Sequence, residues 1–315
     1  MSIYDYLKDK THEEIVNEGY RLPDLDMQMG EVWVPGAYEG TLLRSNVSTK
    51  LHTIINFLTA LAVKKQALKP SAKNKAKMMT RLKKYPAISL VDPVCSYCFA
   101  FKLPQNKDKK EALRVLALDL AKNSKDREPV KMGLALLGIS GKEEDLQVLE
   151  VLGKHDEFTL YAAGAAVGIL KDKKKNAFLI KLAENVEGWG KLSILYELDY
   201  DDEAARLWTV KKGCRNSVGL SYAANVCAIK GGMAELLKKL NEGEFSPAEA
   251  EEIYHGACDI FTGLLWPEEG QDGIREYTEA VFALREFKKI TENMPDLSSK
   301  DERSSKILDF GGQFL

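Results

Sequence analysis

The chain has 315 residues, 45% hydrophobic and 29% charged, with 45 basic and 47 acidic side chains. It is long and apolar enough to bury a large core, and its near-neutral balance argues against a dedicated nucleic-acid binder. No run of eighteen apolar residues occurs and Met1–Lys10 is polar, so neither a membrane span nor a secretion signal is expected, and a cytoplasmic location is. Five cysteines, an odd number without dense spacing, predict reduced thiols rather than a disulfide scaffold.

Residues 1–46 read as an N-terminal extension. Arg21-Leu22-Pro23-Asp24 and the stretch from Val32 to Gly40 have the Pro and Gly content of extended segments or turns, as in an irregular loop packed on the first helices. From there the chain reads as helix. Val47–Leu68 and Lys75–Lys84 form one expected pair, and Ala87–Phe101 with Lys109–Lys122 another, with Pro93 expected to bend or restart the former helix. Charge is unevenly placed. Lys64 to Arg114 holds 14 basic and 3 acidic residues, whereas residues 1–63 hold 5 and 9, and residues 115–315 hold 26 and 35.

A repeat of thirty residues follows. Helix-start residues fall at Asp126, Asp156, Asn216 and Ser246, and Val186 breaks the column. Asp, Asn and Ser suit that place because their side-chain oxygens accept the free amides of a first turn, each contributing about 1 kcal/mol. Ser246-Pro247-Ala248-Glu249 adds a first-turn proline and the glutamate of a capping box. Twelve residues after each start come Gly138, Gly168, Leu198, Ala228 and Cys258, mostly small, where a neighbouring helix can approach closely. The first helices are apolar nearly all round, which predicts helices sandwiched on several sides. Second helices carry single apolar stripes: Leu146, Leu149 and Leu152, then Phe178, Leu179 and Leu182, then Leu236, Leu237 and Leu240. Gly273–Glu292 reads as a long final helix, and residues 293–315 as a polar, loosely held C-terminal tail.

The Ala/Gly-rich first helix, short turn and Leu-striped second helix resemble the HEAT-like, armadillo-type repeats of about thirty residues, over roughly residues 110–265. The resemblance implies an all-α fold, an α-α superhelix or solenoid of antiparallel helix pairs over residues 47–292. It selects no function, since such arrays serve as scaffolds, transport receptors, enzyme adaptors and some DNA-repair glycosylases. At Val186 and at Leu198-Asp199-Tyr200-Asp201-Asp202 the pattern lapses, and the third repeat is expected to be distorted.

Two groups are candidate partner-binding residues. Lys73, Lys75, Lys77, Arg81, Lys83 and Lys84 lie in a run without an acidic residue, whose field would attract phosphates or an acidic protein; the plainer alternative is a solvated helix pair or an internal match for the acidic flanks. Trp189, Tyr196 and Trp208 are residue types favoured at interfaces, though a distorted repeat would also use them as filler. Cys95-Ser96-Tyr97-Cys98 has zinc-ligand spacing but no second pair to complete four ligands. His12, His52, His155 and His255 are scattered and fit no catalytic motif, and Gly231-Gly232 and Gly311-Gly312 lack the context of a phosphate loop. No catalytic residue, metal or cofactor is implied. The expected function is a non-enzymatic scaffold or adaptor that binds a protein on the concave solenoid face, with no membrane partner. The alternative is a repair-like nucleic-acid-binding HEAT protein that uses residues 64–84.

Overall fold

The fold, a computed structural model, is all-helical, as the apolar periodicity predicts. The described residues are 1–17, 22, 24, 27–28, 30–45 and 53–314; His52 and the first residues of the helix expected from Val47 lie outside them. Among the described residues there are nineteen α-helices and a single hairpin, β1 (Met27–Gln28) antiparallel to β2 (Glu31–Val32). The chain divides into two compact units, Met1–Glu197 and Leu198–Leu315.

In the first unit the N-terminal extension is more helical than its Pro and Gly suggest. It forms α1 (Ile3–Leu7), α2 (His12–Asn17) and α3 (Ala37–Ser45). Ser2 caps α1 by accepting the Asp5 amide, and Ile3 and Leu7 are buried against later helices, so tertiary packing overrides weak local propensity. Nine helices follow: α4 (Thr53–Leu68), α5 (Ala72–Leu82), α6 (Ala87–Ala100), α7 (Lys107–Asn123), α8 (Arg127–Ser140), α9 (Leu146–Gly153), α10 (Asp156–Ile169), α11 (Asp172–Ala183) and α12 (Trp189–Glu197). Helix α6 runs on through Pro93 without restarting; packing on α4 and α8 holds it despite one missing hydrogen bond.

Helices α7, α8, α10 and α12 pack in succession, each against the next. The small residues explain how closely. A Cβ on Gly168 would overlap the carbonyl oxygen of Gly138 across the α8–α10 contact, and one on Gly133 would reach the Ala121 amide within 2.7 Å across α7–α8. The second-helix stripes point inward, with Leu149, Leu152, Phe178, Leu179 and Leu182 buried and Leu146 half-buried.

The second unit opens with α13 (Glu203–Trp208), which continues into a π-helical turn at Thr209–Gly213. Then come α14 (Ser221–Gly231), α15 (Met233–Asn241), α16 (Pro247–Leu265), α17 (Ala280–Asn293), α18 (Pro295–Ser298) and α19 (Arg303–Gly311). Of the thirty-residue column, Ser246 caps its helix and forms the capping box with Glu249, whereas Asp126 stands at the cap position of α8 without accepting a first-turn amide and pairs with Lys83 instead. Asp156 is the first helical residue after the cap His155. Asn216 differs: its Oδ1 accepts the Val218 and Gly219 amides in a turn, and the helix begins five residues later.

The final stretch departs from expectation. Ile274 N–H donates to the Leu264 carbonyl in a turn, so α17 starts at Ala280 rather than Gly273. Beyond it the tail is folded. Arg303 reaches Asp259 at 2.6 Å, Tyr254 donates to Ser304 at 2.7 Å, and Ile307 is buried, because this polar segment carries partners for buried groups on α16. No described helix is long and apolar enough to cross a membrane.

Candidate partner-binding groove

Helix α5 is capped by Ser71, whose hydroxyl accepts the Asn74 amide, and lies against α4. Between them runs a groove of about 570 Å³. One side is a stripe of α4: Leu58, Leu61, Ala62 and Lys65, spaced at i, i+3, i+4 and i+7, and so on one face of the helix. The other is a stripe of α5 continuing past its end: Asn74, Lys77, Arg81 and Lys84. An apolar floor therefore runs between cationic lips. Leu58 is 38% exposed, unusual for a leucine facing its own pair partner.

The predicted basic residues separate here into a paired set, a groove set and Lys73, which belongs to neither. Lys75 Nζ lies 2.7 Å from Asp119, and Lys83 Nζ lies 2.6 Å from Asp126, so these two answer acidic residues of the following helices. Against partial burial, the hydrogen bonds of Lys75 and Asn123 hold the Asp119 carboxyl below its ordinary range. Lys77, Arg81 and Lys84 line the groove with Lys65, and none of the four meets a carboxylate among the described residues. Lys73 is exposed and outside the groove lining. The Asn74 amide group and the Thr80 hydroxyl donate to backbone carbonyls, and Lys84 sits 5.4 Å above the Tyr85 ring. The groove thus offers four cations and an apolar floor, while two of its three neutral polar side chains donate within the helix pair.

On another flank of α4, Phe57 contacts Tyr97 at 5.5 Å and Phe101 at 6.3 Å, and Lys64 lies 4.4 Å over the Phe101 ring. The other predicted aromatics have separate roles. The Trp189 ring covers Gly40 and packs α12 against α3, Trp208 is buried in the second unit, and Tyr196 is 60% exposed on α12.

A second cluster lies inside the first unit, and the sequence did not disclose it. Lys131 Nζ is 2.5 Å from Glu39, 3.1 Å from Glu128 and 2.6 Å from Glu157. Arg127 lies 3.0 Å from Glu157, the Gly36 amide donates to Glu157, and Tyr161 donates to Glu39. Among the described residues these three glutamates alone approach closely enough to share a cation, and the Lys131 ammonium already stands in that place. Burial pulls the ammonium down, but Glu157, Glu128 and Glu39 outweigh it and hold it well above its ordinary value. Burial pushes Glu128 up to about 7 and outweighs Lys131. For Glu157, Lys131 and Arg127 outweigh burial, and its carboxyl is held low. The sequence signal was slight: charged residues inside a first helix otherwise apolar all round.

Among the described residues, Cys95, Cys98 and Cys258 carry thiols that burial raises. Burial pushes the Cys95 and Cys98 thiols up to about 12 on α6. In the second unit His255 Nδ1 is 2.9 Å from Asp301, and Cys258 lies one turn along α16; burial and then Asp301 push that thiol upward, the reverse of what an attacking thiolate needs. His12 pairs with the Lys154 carbonyl, and His155 is buried with Nδ1 accepting the Glu157 amide.

No protein-family model matches this chain, and no curated protein and no solved structure matches it either.

Proposed function

We propose that the protein is a non-enzymatic interaction module, built from short HEAT-like helix pairs stacked as a solenoid, that binds an acidic macromolecular partner in the α4–α5 groove. The observation that carries this reading is the set Lys65, Lys77, Arg81 and Lys84, uncompensated by carboxylates among the described residues and aligned beside exposed Leu58 and half-buried Leu61 and Ala62. Unpaired cations on a groove lip attract an opposite charge over several ångströms and raise its encounter rate. The succession α7–α8–α10–α12 and the inward-facing stripes of α9 and α11 support the repeat reading. α5 is the second helix of its pair, in keeping with a partner held along the second helices of a concave face.

A protein partner suits the groove better than a nucleic acid does. Phosphates would use the lysines and leave Leu58, Leu61 and Ala62 against water, whereas an acidic polypeptide would satisfy both. The nucleic-acid reading draws on Phe57, 40% exposed beside Tyr97 and Phe101, since rings of that kind can stack on bases.

The test is affinity capture from native lysate, with and without nuclease, comparing the wild-type chain with Lys77→Glu/Arg81→Glu. The module reading expects a protein that survives nuclease and is lost with the charge reversal. Capture of nucleic acid alone, lost with the same variant, would install the second reading; capture indifferent to the variant would remove the groove from both.

A further inference from the structure

Resting on the groove reading above, the geometry points to a specific occupant: we infer that the α4–α5 groove takes an acidic amphipathic helix of a partner protein, docked as a third helix on the pair. Two features select this chemistry. First, the apolar positions Leu58, Leu61 and Ala62 repeat at three and four along α4, the spacing at which a second helix presents its own apolar stripe. From Leu58 to Lys65 the stripe spans about 10 Å, or two helical turns, enough for two or three apolar anchors. Second, the cations flank that floor. Lys65 closes its end on α4, while Lys77, Arg81 and Lys84 line the opposite wall at spacings of four and three, so carboxylates on the flanks of an incoming helix would meet them in register.

The fixed chemistry of the wall excludes simpler occupants. A neutral apolar helix would leave four cations partly desolvated without partners, which costs free energy. A uniformly acidic strand would leave the leucines unused. Lys75 and Lys83 take no part in the groove, since they face Asp119 and Asp126.

The experiment uses the full chain and fluorescence anisotropy with four labelled probes. One is a helical peptide of about eighteen residues with leucine at i, i+3, i+4 and i+7 and glutamate on both flanks. The others are its scrambled isomer, polyglutamate of the same charge, and a single-stranded DNA oligomer of the same charge. The patterned peptide is expected to bind about tenfold or more tighter than each of the others, and to lose about tenfold or more both in Lys77→Glu/Arg81→Glu and in Leu61→Asp. Circular dichroism melts identify a variant that has lost its fold, and for such a variant Leu58→Ser takes its place. Equal binding of the scrambled peptide or of polyglutamate would overturn the inference in favour of plain charge attraction. Tighter binding of the oligomer would overturn it in favour of phosphate. Binding of no probe would also overturn it. If a captured cellular partner still depends on Lys77 and Arg81 while the patterned peptide fails, only this inference falls; if capture ignores both residues, the groove reading itself falls.

Discussion

Lys131 Nζ and Glu157 Oε1 lie 2.6 Å apart, and solvent reaches 1% of one side chain and none of the other. They join α8 to α10, and through Glu39 and the Gly36 amide they also hold α3 in place. Such a pair adds little over a well-packed apolar substitute, but breaking it leaves a buried charge alone. Lys131→Met is therefore expected to cost about 3–5 kcal/mol in urea unfolding. The triple variant Lys131→Met/Glu39→Gln/Glu157→Gln is expected to recover a large part of that. A loss below about 1 kcal/mol in the single variant would mean that the cluster is hydrated in solution.

The pH dependence of stability should reveal two opposed titrations. Burial raises Glu128 to about 7 from 4.5, so the stability it contributes is full below pH 4.5 and falls as pH rises through 7. Burial lowers His155 to about 4 from 6.5, so its contribution is full above pH 6.5 and falls as pH drops towards 4. Between 4.5 and 6.5 these two oppose each other, and the carboxyls of Glu39, Asp156 and Glu197, also raised by burial, act in the same direction as Glu128. Glu128→Gln removes one of them. Relative to the wild type, that variant is expected to lose roughly 3 kcal/mol more on acidification across the window, as read from urea midpoints. Parallel profiles in the two proteins would contradict the raised carboxyl of Glu128.

Within α10, two glycines should respond oppositely to the same change. Gly168 faces the Gly138 carbonyl, and a methyl group there forces the helices apart, so Gly168→Ala is expected to cost about 1–3 kcal/mol. Gly164 has nothing within 4 Å of where a Cβ would lie, so Gly164→Ala is expected to gain about 0.5–1 kcal/mol from helix propensity. Thermal melts of the two variants check the sign directly.

Local signals were the legible ones. The capping box of Ser246 and Glu249, the leucine stripes and the small residues at Gly138 and Gly168 act over one or two turns or one helix contact, and each stands in the sequence as a spacing. Asn216 misled because the same side chain that caps a helix also closes an Asx turn, and a π-helical turn precedes it. The C-terminal segment looked loose because its polarity is visible, whereas the partners of Asp301 and Arg303 on α16 lie more than forty residues away.

The groove was half legible. Its cations stand in the sequence as a run, but the run does not say that Lys75 meets Asp119, or that Lys83 meets Asp126, across the helix packing. The spacing of Leu58, Leu61, Ala62 and Lys65 was present to be read, yet an apolar stripe ordinarily means core. Glu39 and the Gly36 amide join the Lys131 cluster from residues about ninety to one hundred and twenty away, and no local pattern encodes such a meeting.

The most direct test of the central claim is site-specific photo-crosslinking in native lysate, with a benzophenone side chain replacing Leu58 in the groove or, as a control, exposed Ile229 of the second unit. A groove that binds a protein partner yields one discrete heavier species from position 58, lost on adding Lys77→Glu/Arg81→Glu and kept on adding Lys75→Gln/Lys83→Gln. No discrete species from position 58, or the same species from both positions, would contradict the claim that this groove is where the partner binds.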